Sequence, residues 1–265
     1  MASTSVIKNS LTTPKVQTIG TEQPWHWLGA GWKDMCRSPV TSVSYGLLFT
    51  LMGYVLIYML ETQLHTALAL TSGFLLVSPF LAVGLYDISR RLEAGESASL
   101  GHALFAWQRN TLPIALFGLL VGLLMTFWVR LAAILFVIIM VNQGVQFDAS
   151  AARLFFSGSG LIFLIAFIIV GALIAAVVFA ISVVSIPMLL DRKTDLITAV
   201  MTSVTAVRIN PVPMLLWAAL IVIFTGMGLL VFFLGLAIAM PLIGHATWHA
   251  YRDLVDNNEI EQNSL

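Results

Sequence analysis

The sequence predicts an all-α membrane protein with six transmembrane helices, arranged as three hairpins that are each preceded by an amphipathic helix at the membrane surface. Hydrophobic residues make up 59% of the 265 residues and charged residues only 10%, whereas a soluble domain has roughly 25% charged residues. Apolar runs long enough to cross a bilayer recur along the chain. Because the same pattern occurs three times in one orientation, we expect a pseudo-threefold parallel repeat.

The charge and the cysteine content exclude several classes of protein. Thirteen Lys and Arg balance thirteen Asp and Glu, so the chain lacks the positive field that gathers nucleic acid. Cys36 is the single cysteine, which excludes an internal disulfide and a multi-cysteine metal site. The partner that the composition does predict is the lipid bilayer.

The apolar runs give the transmembrane helices in order. Two runs of about 20 residues, separated by a short polar turn, predict the first hairpin, and two runs of about 30 residues predict the second. The runs are Thr41–Leu60, Thr66–Tyr86, Leu112–Val141 and Leu161–Leu190. The last run, Pro211–Gly244, is long enough for one tilted helix or two short ones, and Gly226 and Gly228 give it a turn signal. The repeat favours two helices and therefore six spans.

Each hairpin follows a segment with apolar residues at helical spacing. These stripes are Trp25, Leu28, Trp32 and Met35 in the first segment, Leu100, Ala103, Leu104 and Trp107 in the second, and Ile197, Val200, Met201, Val204 and Val207 in the third. An Arg and then a Pro follow each stripe. We therefore predict three amphipathic helices lying at the membrane surface.

The distribution of positive charge predicts the orientation. Six spans place nine basic residues near the membrane on one side, and Arg153 alone on the other. By the positive-inside rule, both termini are cytoplasmic. We expect a disordered N-terminal tail over residues 1–20, a membrane domain over 21–255 and a short acidic tail over 256–265.

Arg130, preceded by Trp128, is the ionisable residue inside an apolar run. It lies about 28 Å along the helix from Thr111, close to the far surface of a hydrocarbon core about 30 Å thick. One interpretation is that Arg130 reaches the head groups there while Trp128 lies at the interface. The other is that Arg130 faces a water-filled path or a carboxylate, for which Asp148 is the available acid.

The string from Gly244 to Val255 contains most of the other candidate functional or interface residues: His245, Trp248, His249 and Arg252. Because the two histidines are four residues apart on one helix, they would lie on one face. They are expected either to place amphipathic rings at head-group depth or, as an alternative, to bind haem or copper.

The closing helix of the first repeat matches this string in part. Asp87 and Arg90 follow a proline by eight and eleven residues, as His249 and Arg252 do. We count Asp87, Arg90 and the neighbouring Arg91 as candidates too. A nucleophile constellation, a phosphate-binding glycine loop and a CxxC motif are all missing from the sequence, so we expect neither an enzyme nor a resident cofactor.

Three strings together resemble a known family: the strings from Gly84 to Glu96, from Trp128 to Ala132 and from Gly244 to Val255. The sequence is similar, from about Trp27 to Val255, to the bacterial integral membrane proteins called domain of unknown function 2189. The resemblance implies a multi-span inner-membrane protein without an established activity. Some members carry the label of a putative cytochrome c oxidase subunit. With five histidines, none in the middle of an apolar run, this chain does not fit the catalytic subunit of an oxidase.

Three functions follow from these observations. The first is a non-enzymatic protein that organises or stabilises partner membrane proteins, or copies of itself, through apolar surfaces. The second is a transporter of a small solute or lipid, suggested by the repeats and Arg130. The third is a haem- or copper-associated accessory protein of a respiratory oxidase, which would use His245 and His249.

Overall fold

The computed structural model describes residues 14–62, 81–140 and 158–255. Within these ranges the fold is helical, and its single β-bridge joins Val16 to Val255. The helices are α1 (Gln23–Arg37), α2 (Pro39–Thr62), α3 (described over residues 81–93), α4 (Leu100–Leu104) with a 3-10 helix at Ala106–Asn110, α5 (Thr111–Met140), α6 (Gly158–Ser182), α7 (Ser185–Asp191), α8 (Leu196–Ile209), α9 (Pro211–Leu230) and α10 (Leu236–Leu254).

Three described helical segments are long and apolar enough to cross a membrane: Ala106–Ile139, Gly158–Asp191 and Pro211–Leu230. They coincide with the third, fourth and fifth predicted spans. The first predicted span lies in α2, whose apolar part, Pro39–Val55, is shorter. The second lies largely outside the described residues. The membrane character is therefore clear, and the six-span count stays a prediction.

The run Pro211–Gly244 forms two helices, α9 and the start of α10, but the turn is not at Gly226–Gly228. It lies at residues 231–235, where Phe232 and Phe233 have positive φ angles of 51° and 63°. The Tyr54 and Thr50 hydroxyls donate hydrogen bonds to the carbonyls of these two residues, at 2.6 and 3.0 Å. Gly228 instead allows close approach of the helices: a Cβ there would lie 2.9 Å from Leu236.

Helix α10 is the centre of the described fold, and it packs against α1, α2 and α9. Close approach of backbones makes this packing tight. At Gly31 in α1, an added Cβ would lie 2.7 Å from the Ala246 nitrogen and 2.9 Å from the Leu242 carbonyl oxygen. Next to this contact, the buried indoles of Trp27 and Trp217 meet edge to face at 5.6 Å.

The amphipathic helices present part of their apolar stripes outward. In α1, Trp25 and Trp32 are exposed, and the buried face carries Trp27 and Asp34 instead. Exposed side chains of α8 include Ile197 and Met201, and its buried face consists of small and hydroxyl residues: Thr198, Ala199, Thr202, Ser203 and Ala206. An apolar stripe facing away from the protein is what a helix on a lipid surface needs.

The N-terminal segment is packed from Val16 onward, so the folded part of the chain begins before residue 21. The Gln17 nitrogen donates to the Leu254 carbonyl, and the Asn210 amide is bonded to Gln17 and Ile19. Asn210 thus holds the N-terminal segment in place through hydrogen bonds that the sequence of the segment does not predict. Residues 1–13 and 256–265 lie outside the described residues.

Gly31→Ala should destabilise the protein by about 1–3 kcal/mol, because the new methyl group meets backbone that has little room to move. Gly29→Ala, two residues away in α1, is the matched control, since nothing lies within 4 Å of a Cβ there. The control should be neutral or stabilising by up to about 1 kcal/mol from helix propensity. Thermal unfolding in detergent measures both, and equal melting temperatures for the two variants would contradict this packing.

Candidate functional site

The candidate site is a buried polar cluster around the C-terminal half of α10. The His245 side chain is fully buried, and each of its ring nitrogens meets a serine: Nε2 lies 2.9 Å from Ser42 Oγ and Nδ1 lies 2.8 Å from Ser89 Oγ. Both serines are fully buried too. One side chain therefore connects α2, α3 and α10.

Asp34 of α1 continues this cluster. Its carboxylate lies 2.8 Å from Nε2 of His249. Burial by itself would raise the pKa of Asp34, but His249 and the nearby Ser89 hydroxyl hold it below its ordinary value of 3.8. Asp34 is therefore ionised at neutral pH, and it ties α1 to α10.

Ser42 and His245 are paired as a nucleophile and its base would be, but a nucleophilic serine must reach a substrate, and Ser42 is fully buried. Ser42 lines neither of the two cavities described below. The arrangement is suited to holding four helices together.

Charged residues of α3 and α10 lie near this cluster, and they include Asp87, Arg90, Arg91 and Arg252 among the predicted site residues. Buried Asp87 binds Arg90 and Arg91 of its own helix at 2.8–2.9 Å. Glu93 of α3 accepts a bond from the Trp248 indole at 2.9 Å and one from Arg252 at 3.0 Å. The structure thus brings the two predicted groups, on α3 and α10, together.

The rings of the Gly244–Val255 string face the protein interior and not its outer surface. Trp248 and Tyr251 are buried within the protein, as His245 is, and His249 is only partly exposed. The reason is that acids and hydroxyls of α1, α2, α3 and α7 pair with their polar atoms. The position of these rings at head-group depth stays a prediction.

The pair His245 and His249 is not arranged as a joint metal or haem site. The serines occupy both nitrogens of His245, and Asp34 pairs with Nε2 of His249. Asp253, four residues after His249 on the same helix, accepts the Trp27 indole proton at 2.7 Å. Among the residues that the structure describes, no group of three or more His, Cys, Asp and Glu is placed to hold a metal ion.

Arg130 and Trp128 lie apart from this site, on α5. Arg130 is exposed, and it makes no ion pair with a described residue. Trp128 packs on Phe167 of α6 with ring centroids 4.9 Å apart. Arg130 thus faces outward, as a residue reaching the head groups would, and Asp148 lies outside the described residues.

Sequence reasoning missed the partners that complete the cluster: Asp34, Ser42, Ser89 and Glu93. Each comes from a different part of the chain than the histidine or tryptophan that it binds, with 155–215 residues between them. The one sequence feature that could have indicated this cluster is an acid, Asp34, next to the apolar stripe of an amphipathic helix.

One comparison with known proteins gives a match. Residues 67–191 match the family model described as a predicted integral membrane protein (DUF2189). The DUF2189 match includes the strings Gly84–Glu96 and Trp128–Ala132, with Asp87 and its arginines, while the Gly244–Val255 string lies beyond it. Comparison with curated proteins and with solved structures found no match.

Asp34→Asn should lower the free energy of unfolding by about 1–3 kcal/mol at neutral pH, because His249 loses a charged acceptor. The folded-state pKa of Asp34 is depressed, so its contribution is present above the ordinary value of 3.8 and is lost as the pH falls through the folded value. Melting temperatures of the wild type and the variant should therefore converge progressively as the pH falls below 3.8.

Asp195→Asn serves as the control. Asp195 caps α8 through Thr198, and asparagine caps a helix about as well as aspartate. An Asp34→Asn variant that is as stable as Asp195→Asn at pH 7 would contradict the role given to Asp34.

Proposed function

We propose that this protein is a non-enzymatic, multi-pass membrane protein that organises or stabilises a partner membrane protein. The partner would contact the far end of the α5–α6 hairpin, defined as residues 131–140 of α5 and 158–170 of α6. The observation that carries the proposal is that this end is apolar and long, and that its outward side chains are exposed in the described structure.

The length of the hairpin is the first support. Helix α5 has 30 residues, or about 45 Å at 1.5 Å per residue, against a hydrocarbon core of about 30 Å. Arg130 stands about 28 Å from the start of α5. If Arg130 lies at the lipid surface, residues 131–140 extend beyond it unless the hairpin tilts steeply.

The side chains at the far end are the second support. Phe136 and Phe163 meet edge to face at 5.4 Å and join the two helices from within. The outward positions are occupied by large aliphatic side chains that are half exposed or more: Ile134, Val137, Ile138, Leu161, Ile162 and Ile165. A continuous apolar surface of this kind is typical of a contact with another protein when it is not covered by lipid.

The topology belongs to the same proposal. We place the chain in a bacterial inner membrane with six spans and both termini in the cytoplasm. Nine basic residues on the proposed inner side support this orientation. The outward apolar stripes of α1 and α8 agree with helices that lie on the inner leaflet.

A photo-crosslinking amino acid placed at Ile134 or Ile138 in intact cells tests the proposal. Discrete protein adducts are expected from both positions, because both face outward at the far end. Gel mobility and mass spectrometry of the adducts measure the outcome, and a species of twice the chain mass would identify a second copy as the partner.

Leu116 is the matched control position, since it is also exposed on α5 but lies near the opposite end, within the bilayer. It should yield lipid adducts only. Lipid adducts alone at Ile134 and Ile138, as at Leu116, would contradict the proposal and favour steep tilt.

A second candidate function, binding or transport of a lipid or other apolar molecule, is favoured by one cavity. It has a volume of about 450 Å³ and is lined by Phe49, Phe117, Val121, Val178, Leu229 and Met240, among others, from α2, α5, α6, α9 and α10. The Ser182 hydroxyl in its wall is bonded to the Val178 carbonyl at 2.6 Å. The cavity is within the usual size range for ligand sites. Its wall has almost no polar atoms that could recognise a ligand, so its ligand would be apolar.

Val178→Phe should fill part of this cavity and weaken binding of a fluorescent long-chain fatty acid at least several-fold, with little loss of stability. Val177→Phe, at a neighbouring position that is 54% exposed, should bind the probe as the wild type does. Fluorescence titration of the purified chain measures both. Identical titrations for the two variants would eliminate this second candidate.

A further inference from the structure

A small basic pocket lies where two candidate membrane spans end side by side. Its walls are Arg109, Leu190, Asp191, Arg192 and Lys193, and its volume is about 310 Å³. Arg109 stands near the start of the span Ala106–Ile139, and Asp191 ends the span Gly158–Asp191. Since α5 and α6 pack against each other, the pocket lies at one end of their hairpin, where we place the bilayer surface.

The charges of the pocket are unbalanced. Arg109, Arg192 and Lys193 contribute three positive charges, and Asp191 contributes one negative charge. The Asp191 carboxylate is already engaged: it accepts the Tyr251 hydroxyl proton at 2.7 Å and lies 3.7 Å from Arg252. Arg109 and Lys193 are exposed and make no ion pair within the described ranges. Two cations are thus available to an anion.

The backbone that carries these cations is held in place. The Asn110 side-chain amide donates to the carbonyls of Leu189, Arg192 and Thr194, at 3.0, 3.4 and 3.1 Å. Arg192 donates from Nε to the buried Tyr251 hydroxyl at 2.9 Å. Because Asn110 directly follows Arg109, the same contacts fix Arg109 against the loop that carries Lys193. The pocket is therefore preorganised, which lowers the entropic cost of binding.

We propose that this pocket binds the phosphate group of an anionic phospholipid through Arg109 and Lys193, with Arg192 completing the positive wall. Arginine guanidinium groups and lysine ammonium groups are the usual partners of phosphate oxygens. Basic pockets between membrane helices on the cytoplasmic side are suited to anionic head groups. The site is separate from the far end of the hairpin, so it stands independently of the proposed partner contact.

The test uses the purified full chain in a neutral detergent with phosphatidylglycerol, phosphatidylcholine or inorganic phosphate added in separate arms. Phosphatidylglycerol should raise the melting temperature and stay bound in native mass spectrometry, while the other two should have little effect. Arg109→Gln and Lys193→Gln should each weaken the apparent affinity for phosphatidylglycerol about fivefold, and the double variant about 25-fold.

Arg208→Gln is the matched control, because Arg208 is an exposed cation near the same surface that does not line the pocket. It should retain the wild-type response. Melting temperatures without lipid should be alike for all variants, which separates binding from folding. Three results would each overturn the proposal: an equal effect of phosphatidylcholine, an equal effect of inorganic phosphate, or an unchanged affinity in the double variant.

Discussion

The fold depends on the pairing of polar atoms around α10, because an unpaired polar group inside a membrane protein costs several kcal/mol. His245 meets this requirement by binding Ser42 and Ser89, and Asp34 pairs with His249 one turn further along α10. Four helices thus share one set of bonds, each of which fixes a helix in rotation as well as in position. Apolar packing alone is less specific, since lipid chains are as apolar as leucine.

Hydrogen bonds from α10 also extend to charged residues near the surface of the protein. The same half of α10 carries Tyr251, which binds Asp191 at the end of α7 and Arg192 directly after it. It carries Trp248 and Arg252 as well, which hold Glu93 at the end of α3. The buried bonds therefore set the geometry of the charged loops, and the basic pocket is preorganised by contacts that begin in the protein interior.

Sequence patterns predicted the long helices well, because a run of apolar residues in lipid has to be helical to satisfy its own backbone. They failed at the turn between α9 and α10. Glycine is the usual residue for a turn, but Gly228 serves close helix packing, and Phe232 and Phe233 adopt left-handed backbone conformations under bonds from α2. The candidate residues that the sequence places on α3 and α10 lie close together in the structure, but their partners on α1 and α2 depend on tertiary structure. A hydrogen bond between residues that are 203 positions apart in the chain does not produce a periodic pattern in the sequence.

The structure separates what stabilises the protein from the surfaces offered to other molecules. The polar centre holds α1, α2, α3 and α10, whereas the far end of α5 and α6 is joined by aromatic contacts such as Phe136 with Phe163. The outward side chains there, Ile134 among them, contribute little to the described packing. Substitutions at such positions therefore change what the protein contacts while leaving its buried hydrogen bonds intact. This separation is why binding can be tested apart from folding in this protein.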